Sequence, residues 1–381
     1  MEFEFSDSQR ILQNAVRAFV RTEIAPHAAE WDEAERFPLE LMPKLGKMGL
    51  LGVRIPEQYG GSGMDMVSYA ICVEELARAD GATALTVASH NGLGTGHVLA
   101  FGTEEQKRKY LPRAASGEAL AAWALTEPGN GSDAAAVRTT ARREGEHWIL
   151  NGTKAFITQG SVAAFCVVLA RTNMEAPQAK GITAFIVDCA SPGFASSGHL
   201  RKLGCRASDT AELTLDDVRI DDGQRLGEVD HGFIDTMRIL DRGRIGIAAM
   251  AVGLGNGALE RAVRYARERR AFGKTIGEFD AVRWMVANAR TELDAAALLT
   301  HRAAWLADQG RAHTREASIA KLFASEAATR ACQSAVQIFG GYGYAREYEV
   351  ERYLRDAKLC EIGEGTSEVQ RLVIARQVLA S

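Results

Sequence analysis

The chain has 381 residues, 46% hydrophobic and 25% charged, which is more than one ordinary domain and the balance of a soluble globular protein with a large core. Its 45 Lys and Arg against 49 Asp and Glu give a formal net charge of -4, which excludes a general basic surface for nucleic acid and leaves only local patches such as residues 264–274. No apolar run is long enough to span a bilayer, the eight histidines include no HExxH pair, and the six cysteines, at 72, 166, 189, 205, 332 and 360, form no CxxC pair; the expectation is no membrane span, no metal, and buried reduced thiols.

The opening "MEFEFSDSQRILQNAVRAF" is acidic and then amphipathic, unlike a secretory or mitochondrial leader, so a cytoplasmic protein of bacterial type is expected, with a processed organellar protein as the alternative. Ser6 reads as the N-cap of a helix whose Ile11, Leu12, Ala15, Val16, Phe19 and Val20 make one apolar face. Pro26 interrupts that pattern, "RIPEQYGGSGMD" is a loop, and "MVSYAICVEELARAD" resumes helix. From about Leu120 the period changes: "HWILNG", "FCVVLART", "ITAFIVD" and "AELTLDDVRI" read as strands of a small antiparallel barrel or sandwich. From Phe233 onward long helices rich in Ala, Leu and Arg return, as in a helical bundle. The division is 1–119 helical, 120–232 β, and 233–381 helical, an α+β multidomain chain.

"GLGNGA", residues 253–258, matches a dinucleotide fingerprint only in spelling, because the preceding "GRIGIAAMAV" is helical and no βαβ unit surrounds it. Small residues on a packed helix are the better reading. Other segments do combine turn residues with reactive side chains. In "WALTEPGNGSD", residues 123–133, Gly129, Gly131 and Ser132 let backbone N–H groups and hydroxyls approach a flat polar ring or a phosphate, although such a loop alone is also an ordinary turn. In "NGTKAFITQG", residues 151–160, Asn151-Gly152 reads as a hairpin turn leading into a strand, where Phe156 packs either a cofactor ring or the core. "QIFGGYGY", residues 337–344, ends a helix with glycines and is by itself only a C-cap. In "EIGEGTSEVQR", Glu364 sits between two glycines at a break between helical stretches, which lets a substrate come close.

With "RERRAFGK", these segments lie in the order and approximate spacing of the acyl-CoA dehydrogenases, which the chain resembles over nearly its full length. The resemblance implies an N-terminal helical domain, a middle β-domain, a C-terminal four-helix bundle, bound FAD, usually a homotetramer, and electron-transfer flavoprotein as the acceptor. It places Leu125, Thr126, Gly131 and Ser132 at the flavin end of FAD, with Phe156 and Thr158 across the ring; many relatives have Trp where this chain has Phe156. Arg269 and Phe272 match residues that reach FAD in a neighbouring subunit, where a guanidinium suits a pyrophosphate. Gln337, Gly340 and Gly341 fall near the adenosine across a subunit contact, while Thr366 and Glu368 hold FAD after the catalytic loop. Ser367 with Gln370 also spells a capping box for the last helix. Ser132, Asp241, Arg244 and Gly365 match positions on the acyl-CoA side. Asp280 stands where many relatives have Gln, with Arg283 one turn away to neutralise it.

Glu364 matches the family's base, which takes a proton from the carbon next to the thioester while hydride leaves the β-carbon for the flavin, giving a trans-2-enoyl thioester. A free glutamate near pKa ~4.3 is a weak base for a carbon acid, so burial must raise it. The thioester oxygen needs hydrogen-bond donors as charge develops; the resemblance supplies the N–H of the base and a hydroxyl of FAD. Branches that carry the base on the helix after the β-domain have it where this chain has Gly243, which cannot serve. Gly363 replaces an aromatic of some relatives and leaves room for a longer or branched acyl group, while "SHNGLG" from Ser89 resembles short- and medium-chain members. An acyl-CoA oxidase or nitroalkane-oxidase-like flavoprotein would keep the fold and pass electrons to oxygen; the nitroalkane type carries Asp as base. A silent FAD scaffold or nucleic-acid-associated relative fits poorly with Glu364 and the acidic charge balance.

Overall fold

The computed structural model describes residues 4–380. The chain begins with seven helices: α1 (Asp7–Phe19), α2 (Ala28–Glu33), α3 (Met42–Lys47), α4 (Met66–Ala77), α5 (Gly81–Ser89), α6 (Thr95–Phe101) and α7 (Glu104–Ala115). Ser6 caps α1: its hydroxyl accepts from Gln9 N, and the Gln9 side chain accepts from Ser6 N. The buried stripe of α1 is narrower than the spacing suggests. Val16 and Val20 are buried and Leu12 and Phe19 partly so, but Ile11 is 70% exposed and Ala15 faces solvent, because α1 docks edgewise on α4. Two π-helical segments, Val20–Ile24 before Pro26 and His90–Gly94 between α5 and α6, were not legible from periodicity.

Eight strands form one sheet: β1 (Ala121–Ala124), β2 (Thr140–Glu144), β3 (His147–Thr158), β4 (Phe165–Arg171), β5 (Ile182–Asp188), β6 (Phe194–Ser196), β7 (Thr210–Asp221) and β8 (Arg225–Leu226). The order is β6-β7-β3-β2-β4-β5-β8, with β1 beside β4. Pairing is antiparallel except where β1, and β2 at one position, run parallel to β4, so the sheet is mixed rather than purely antiparallel. Along β4, Phe165, Val167 and Leu169 point into one core and Cys166, Val168 and Ala170 into another, which is why this strand is apolar throughout.

Asn151-Gly152 is not a hairpin turn. Strand β3 runs straight through it, with a register shift against β7 between Leu150 and Gly152, and a methyl group at Gly152 would lie 2.7 Å from Thr139 Cα. The glycine serves a bulge and a close backbone approach. The turn lies upstream, at Gly145-Glu146 between β2 and β3, where Gly145 takes φ 62°.

The remainder is α8 (Gly232–Glu268), a short hairpin of β9 (Arg270–Ala271) and β10 (Lys274–Thr275), then α9 (Asp280–Asp308), α10 (Thr314–Phe339), α11 (Val350–Ile362) and α12 (Ser367–Leu379). Helix α10 packs against α8, α9, α11 and α12. Buried Ala317, Ala320, Ala324, Ala328 and Ala331 on α10 make that close approach possible. Within "GLGNGA" on α8, a methyl group at Gly253 would meet the Glu74 carbonyl, one at Gly255 the Leu293 side chain, and one at Gly257 the Arg78 carbonyl, so these glycines are packing residues.

Candidate active site

Glu364 lies in the link between α11 and α12, in a left-handed conformation with φ 55°, followed by Gly365 at φ 94°. A non-glycine residue held there stores strain and must be fixed by its surroundings. The residue is half-buried, but its Oε2 is buried and has no hydrogen-bond partner among the described residues. The carboxylate rests against the Gly243 Cα of α8, near Leu93 of the π segment, where a methyl group at Gly243 would lie 2.8 Å from Glu364 Cδ and 3.1 Å from Leu93 Cδ2. Burial raises the carboxyl to a pKa of about 7, against the pull of Lys321 and Arg244 in the opposite direction. Among the described residues, nothing accepts the Glu364 N–H, while its carbonyl accepts from Gln370 Nε2 at 3.2 Å.

Two buried side chains hold this loop, and sequence reasoning missed the first and misread the second. Lys321 on α10 is fully buried, and its Nζ donates to the Gly365 carbonyl at 2.6 Å. Burial lowers its pKa to about 8. A lysine in the apolar repeat Ala317, Ala320, Lys321, Ala324 was the available signal. Gln370 is also fully buried and donates to the Gly365 carbonyl at 2.9 Å as well as to that of Glu364. It therefore does not form a capping box with Ser367. The N-cap of α12 is Thr366, whose side chain accepts from Val369 N, and the amide of Gln370 is turned back onto the loop. Glu368 is exposed in the first turn, where the backbone and Thr366 hold its carboxyl below the usual range.

On α8 beside Gly243, Arg244 is buried, pairs with Asp241 at 2.7 Å, approaches Ser318 Oγ at 3.5 Å and leaves Nε without a partner. Asp241 in turn accepts from Thr314 Oγ1 at 2.5 Å. Burial lowers the guanidinium pKa, with Asp241 and Glu364 working against it. Tyr69 on α4 closes the far side: its hydroxyl donates to the Ala88 carbonyl, and methyl groups at Gly246 and Gly92 would lie 2.5 and 3.2 Å from it.

The π segment joins this centre to the sheet, since Gly94 packs on Ala121 of β1. Just past the end of β1, Leu125 and Thr126 lie beside β3, where Ala155 N donates to the Thr126 carbonyl at 2.9 Å. Phe156 is 68% exposed with φ 57°, at a register shift between Lys154 and Ile157, so it is not a core residue. Thr158 is half-buried on the same strand, and Gly131 and Ser132 are exposed in the loop beyond Thr126. That loop is anchored by an ion pair sequence reasoning did not single out. Lys154 Nζ, fully buried, reaches Glu127 at 2.8 Å and the Leu125 carbonyl at 3.2 Å, while Glu127 accepts from Arg138 N and Thr139 N.

A second group of residues gathers at the far end of α8. A pocket of about 570 Å³ is lined by Tyr265, Arg269, Gly340, Gly341 and Tyr342, with the Arg269 guanidinium over the Tyr342 ring at 5.5 Å. Gln337 is exposed in the last turn of α10, and its carbonyl accepts from Gly340 N. Phe272, 94% exposed with φ 51°, forms with Gly273 the turn of the β9–β10 hairpin and projects away from the body. Gly243 and Arg269 stand about 39 Å apart along one helix, so a single chain does not bring the two groups together. Asp280 pairs with Arg283 at 3.4 Å on the exposed start of α9.

Three family models match the chain: the acyl-CoA dehydrogenase N-terminal domain over residues 6–118, the middle domain over 122–218 and the C-terminal domain over 230–379. A probable acyl-CoA dehydrogenase of Bacillus subtilis, YngJ, is 47% identical over 379 residues, covering 100% of both chains. The CarC subunit of the caffeyl-CoA reductase-Etf complex of Acetobacterium woodii is 43% identical, covering 98% of this chain and 99% of that one. Among solved structures, butyryl-CoA dehydrogenase from Megasphaera elsdenii superposes with a TM-score of 0.97 at 39% identity, covering 100% of each chain.

Proposed function

The chain belongs to the acyl-CoA dehydrogenase family, whose members are FAD-dependent oxidoreductases, and from this premise we propose that it converts short acyl-CoA thioesters to trans-2-enoyl-CoA. The observation that carries the reading is the state of Glu364. Its carboxylate is buried, unpartnered and of raised pKa, which makes a stronger base than free glutamate while leaving much of it ionised near neutral pH. In this reading Glu364 takes the proton next to the thioester. Its own N–H, unpaired among the described residues, donates to the thioester oxygen as negative charge develops there. FAD, when bound, supplies the acceptor for hydride from the β-carbon.

The residues present suit FAD. An exposed Phe156 on a strained backbone offers a face for a flat ring beside Thr126 and Thr158, and Gly129 and Gly131 leave their loop open. Ser132 reaches both cofactor and substrate in this reading, and Thr366 and Glu368 close the site from the start of α12. Arg269 and Phe272 with Gln337, Gly340 and Gly341 serve the FAD of a neighbouring copy in this reading, which the ~39 Å separation along α8 supports. That arrangement makes the active unit an oligomer, and a homotetramer is the form we assign. Asp241, Arg244 and Gly365 line the thioester side. The tight packing of Tyr69 against Gly92 and Gly246 favours a short chain, whereas a methyl group at Gly363 would meet only Leu359 within 4 Å among the described residues beyond its chain neighbours, which leaves room for branching. We assign electron-transfer flavoprotein as acceptor, in keeping with the Etf-complexed relative, and a cytoplasmic setting, in keeping with six free cysteines.

The test is an anaerobic visible titration of the FAD-loaded protein with butyryl-, isobutyryl- and octanoyl-CoA. Bleaching by the four-carbon thioesters first is the expected result. A flavin untouched by all three refutes the reading, and fast oxygen consumption would replace the assigned acceptor.

A further inference from the structure

Among the described residues, every hydrogen bond to the carbonyls of Glu364 and Gly365 comes from two side chains outside that loop. Lys321 and Gln370 approach from different helices, α10 and α12, and both are fully buried. Burying an ammonium requires compensation, and among the described residues the only hydrogen bond Lys321 Nζ makes is to the Gly365 carbonyl. A single carbonyl oxygen thus accepts from a cation at 2.6 Å and an amide at 2.9 Å. Two donors on one oxygen fix the plane of the Gly365–Thr366 peptide, and the Gln370 bond to the Glu364 carbonyl holds the Glu364–Gly365 peptide before it. With both carbonyls turned toward α10 and α12, the Glu364 side chain is left facing α8, and neither its N–H nor its Oε2 has a partner.

Resting on the assignment of Glu364 as the base, we infer that Lys321 is a positioning residue of the reaction: with Gln370 it locks the Glu364-Gly365-Thr366 turn, so that Glu364 and Gly365 keep their left-handed backbone and the carboxylate its place against α8. The groups facing Glu364 are Lys321 from α10, Arg244 from α8 and the Tyr69 hydroxyl from α4. Those facing Lys321 are Glu364, Arg244, and Cys360 and Glu361 from α11. Glu361 is itself engaged by Lys358 at 2.6 Å and by Thr329, so it is not free to neutralise Lys321. Lys321 and Arg244 therefore both oppose the effect of burial on Glu364, and removal of Lys321 leaves Arg244 alone.

The experiment compares the rate of anaerobic flavin bleaching against pH in FAD-loaded wild type, Lys321→Met, Lys321→Arg and Gln370→Met. Lys321→Met should remain yellow, bleach about a hundredfold more slowly at neutral pH, and show its acid limb moved up by on the order of one pH unit. Lys321→Arg should keep the limb in place. Gln370→Met, which removes a neutral donor, should slow bleaching about tenfold with the limb unmoved. Wild-type bleaching with Lys321→Met at full rate and an unmoved limb overturns the inference, as does equal slowing of Lys321→Met and Lys321→Arg without a shift. Should Lys321→Met fail to fold, a full-rate Gln370→Met overturns the clamp by itself. Wild type that itself never bleaches overturns the parent reading, and this inference with it, whereas normal wild-type bleaching with unaffected variants overturns this inference alone.

Discussion

Gly243→Ala separates stability from catalysis at a single position. Glycine inside α8 is disfavoured relative to alanine by about 1 kcal/mol, and Gly243 has ordinary helical backbone, so the substitution should stabilise the helix. The new methyl would stand 2.8 Å from Glu364 Cδ and nearer still to its Oε2, against roughly 3.5–4.0 Å for a comfortable contact, so the carboxylate must retreat by more than about 1 Å. Its neighbour is the end of a flexible side chain, so the retreat costs little stability. It costs a great deal of rate, because a base misplaced by 1 Å loses on the order of a hundredfold, about 2.7 kcal/mol of barrier. Melting temperature and stopped-flow bleaching with butyryl-CoA should therefore diverge: the first unchanged or slightly raised, the second down about a hundredfold. A variant that bleaches at full rate would refute the placement of the carboxylate against α8. Gly253→Ala is the control, because its methyl would meet the Glu74 carbonyl and lie 2.7 Å from Ala77 Cβ. Backbone cannot give way as a side chain can, so that variant should melt lower by several degrees.

Glu364→Gln should give a folded, yellow protein that no thioester bleaches; normal bleaching would remove Glu364 from the mechanism. The same variant carries a stability signature with a definite sign. The folded-state pKa of Glu364, about 7, lies above the ordinary carboxyl value of 4.5, so the buried carboxyl is a liability that grows as pH rises from ~4.5 to ~7 and is absent below. Glu364→Gln should thus melt higher than wild type at pH 8 and converge with it toward pH 4.5, and an unchanged difference across that range would contradict the burial. Wild-type bleaching should fall as pH drops through about 7, where the base takes up its proton. Phe156→Ala should leave the melting curve of the FAD-free protein in place, since the side chain is 68% exposed, yet weaken FAD retention on dialysis. Thr366→Ala removes the cap of α12 and should cost about 1 kcal/mol, read as a lowered melting temperature.

The parts of the fold that were legible are those governed by local rules. The capping box at Ser6 was half visible in its cap residue, the strands in their β-branched runs, and the packing glycines of α8 in the lack of any strand before them. The misreadings share a cause: one residue type serves two geometries that only tertiary contacts distinguish. Asn-Gly suits a hairpin turn, but here Gly152 is required because Thr139 crosses close to it. Thr366 and Ser367 are both good caps, and the choice between them depended on Gln370 being drawn onto the Glu364 loop rather than toward its own N-terminus. Ile11 follows the helical period but has no neighbour to cover it. In the site, motifs pointed to exposed residues such as Phe156, whereas Lys154, Glu127 and Lys321 act from inside the packing and carry no signature beyond a charge in an apolar context.

That division has a physical reason. A carboxylate strong enough to take a proton from carbon must be kept from water and from close donors, and such a group is unstable where it stands. The chain leaves Glu364 Oε2 unpartnered and holds its backbone in a strained conformation, then restores order one peptide away, where Lys321 and Gln370 can bind carbonyls without touching the carboxylate. The glycine of α8 completes the arrangement by giving the carboxylate room against a helix rather than against another polar group. A direct ion pair from Lys321 to Glu364 would stabilise the protein more, but it would pull the pKa back toward that of an ordinary glutamate and take the lone pair the reaction needs. Under the proposed role, holding the lysine on the neighbouring carbonyl keeps its field at the Glu364 carboxylate while leaving Oε2 without a bond from it.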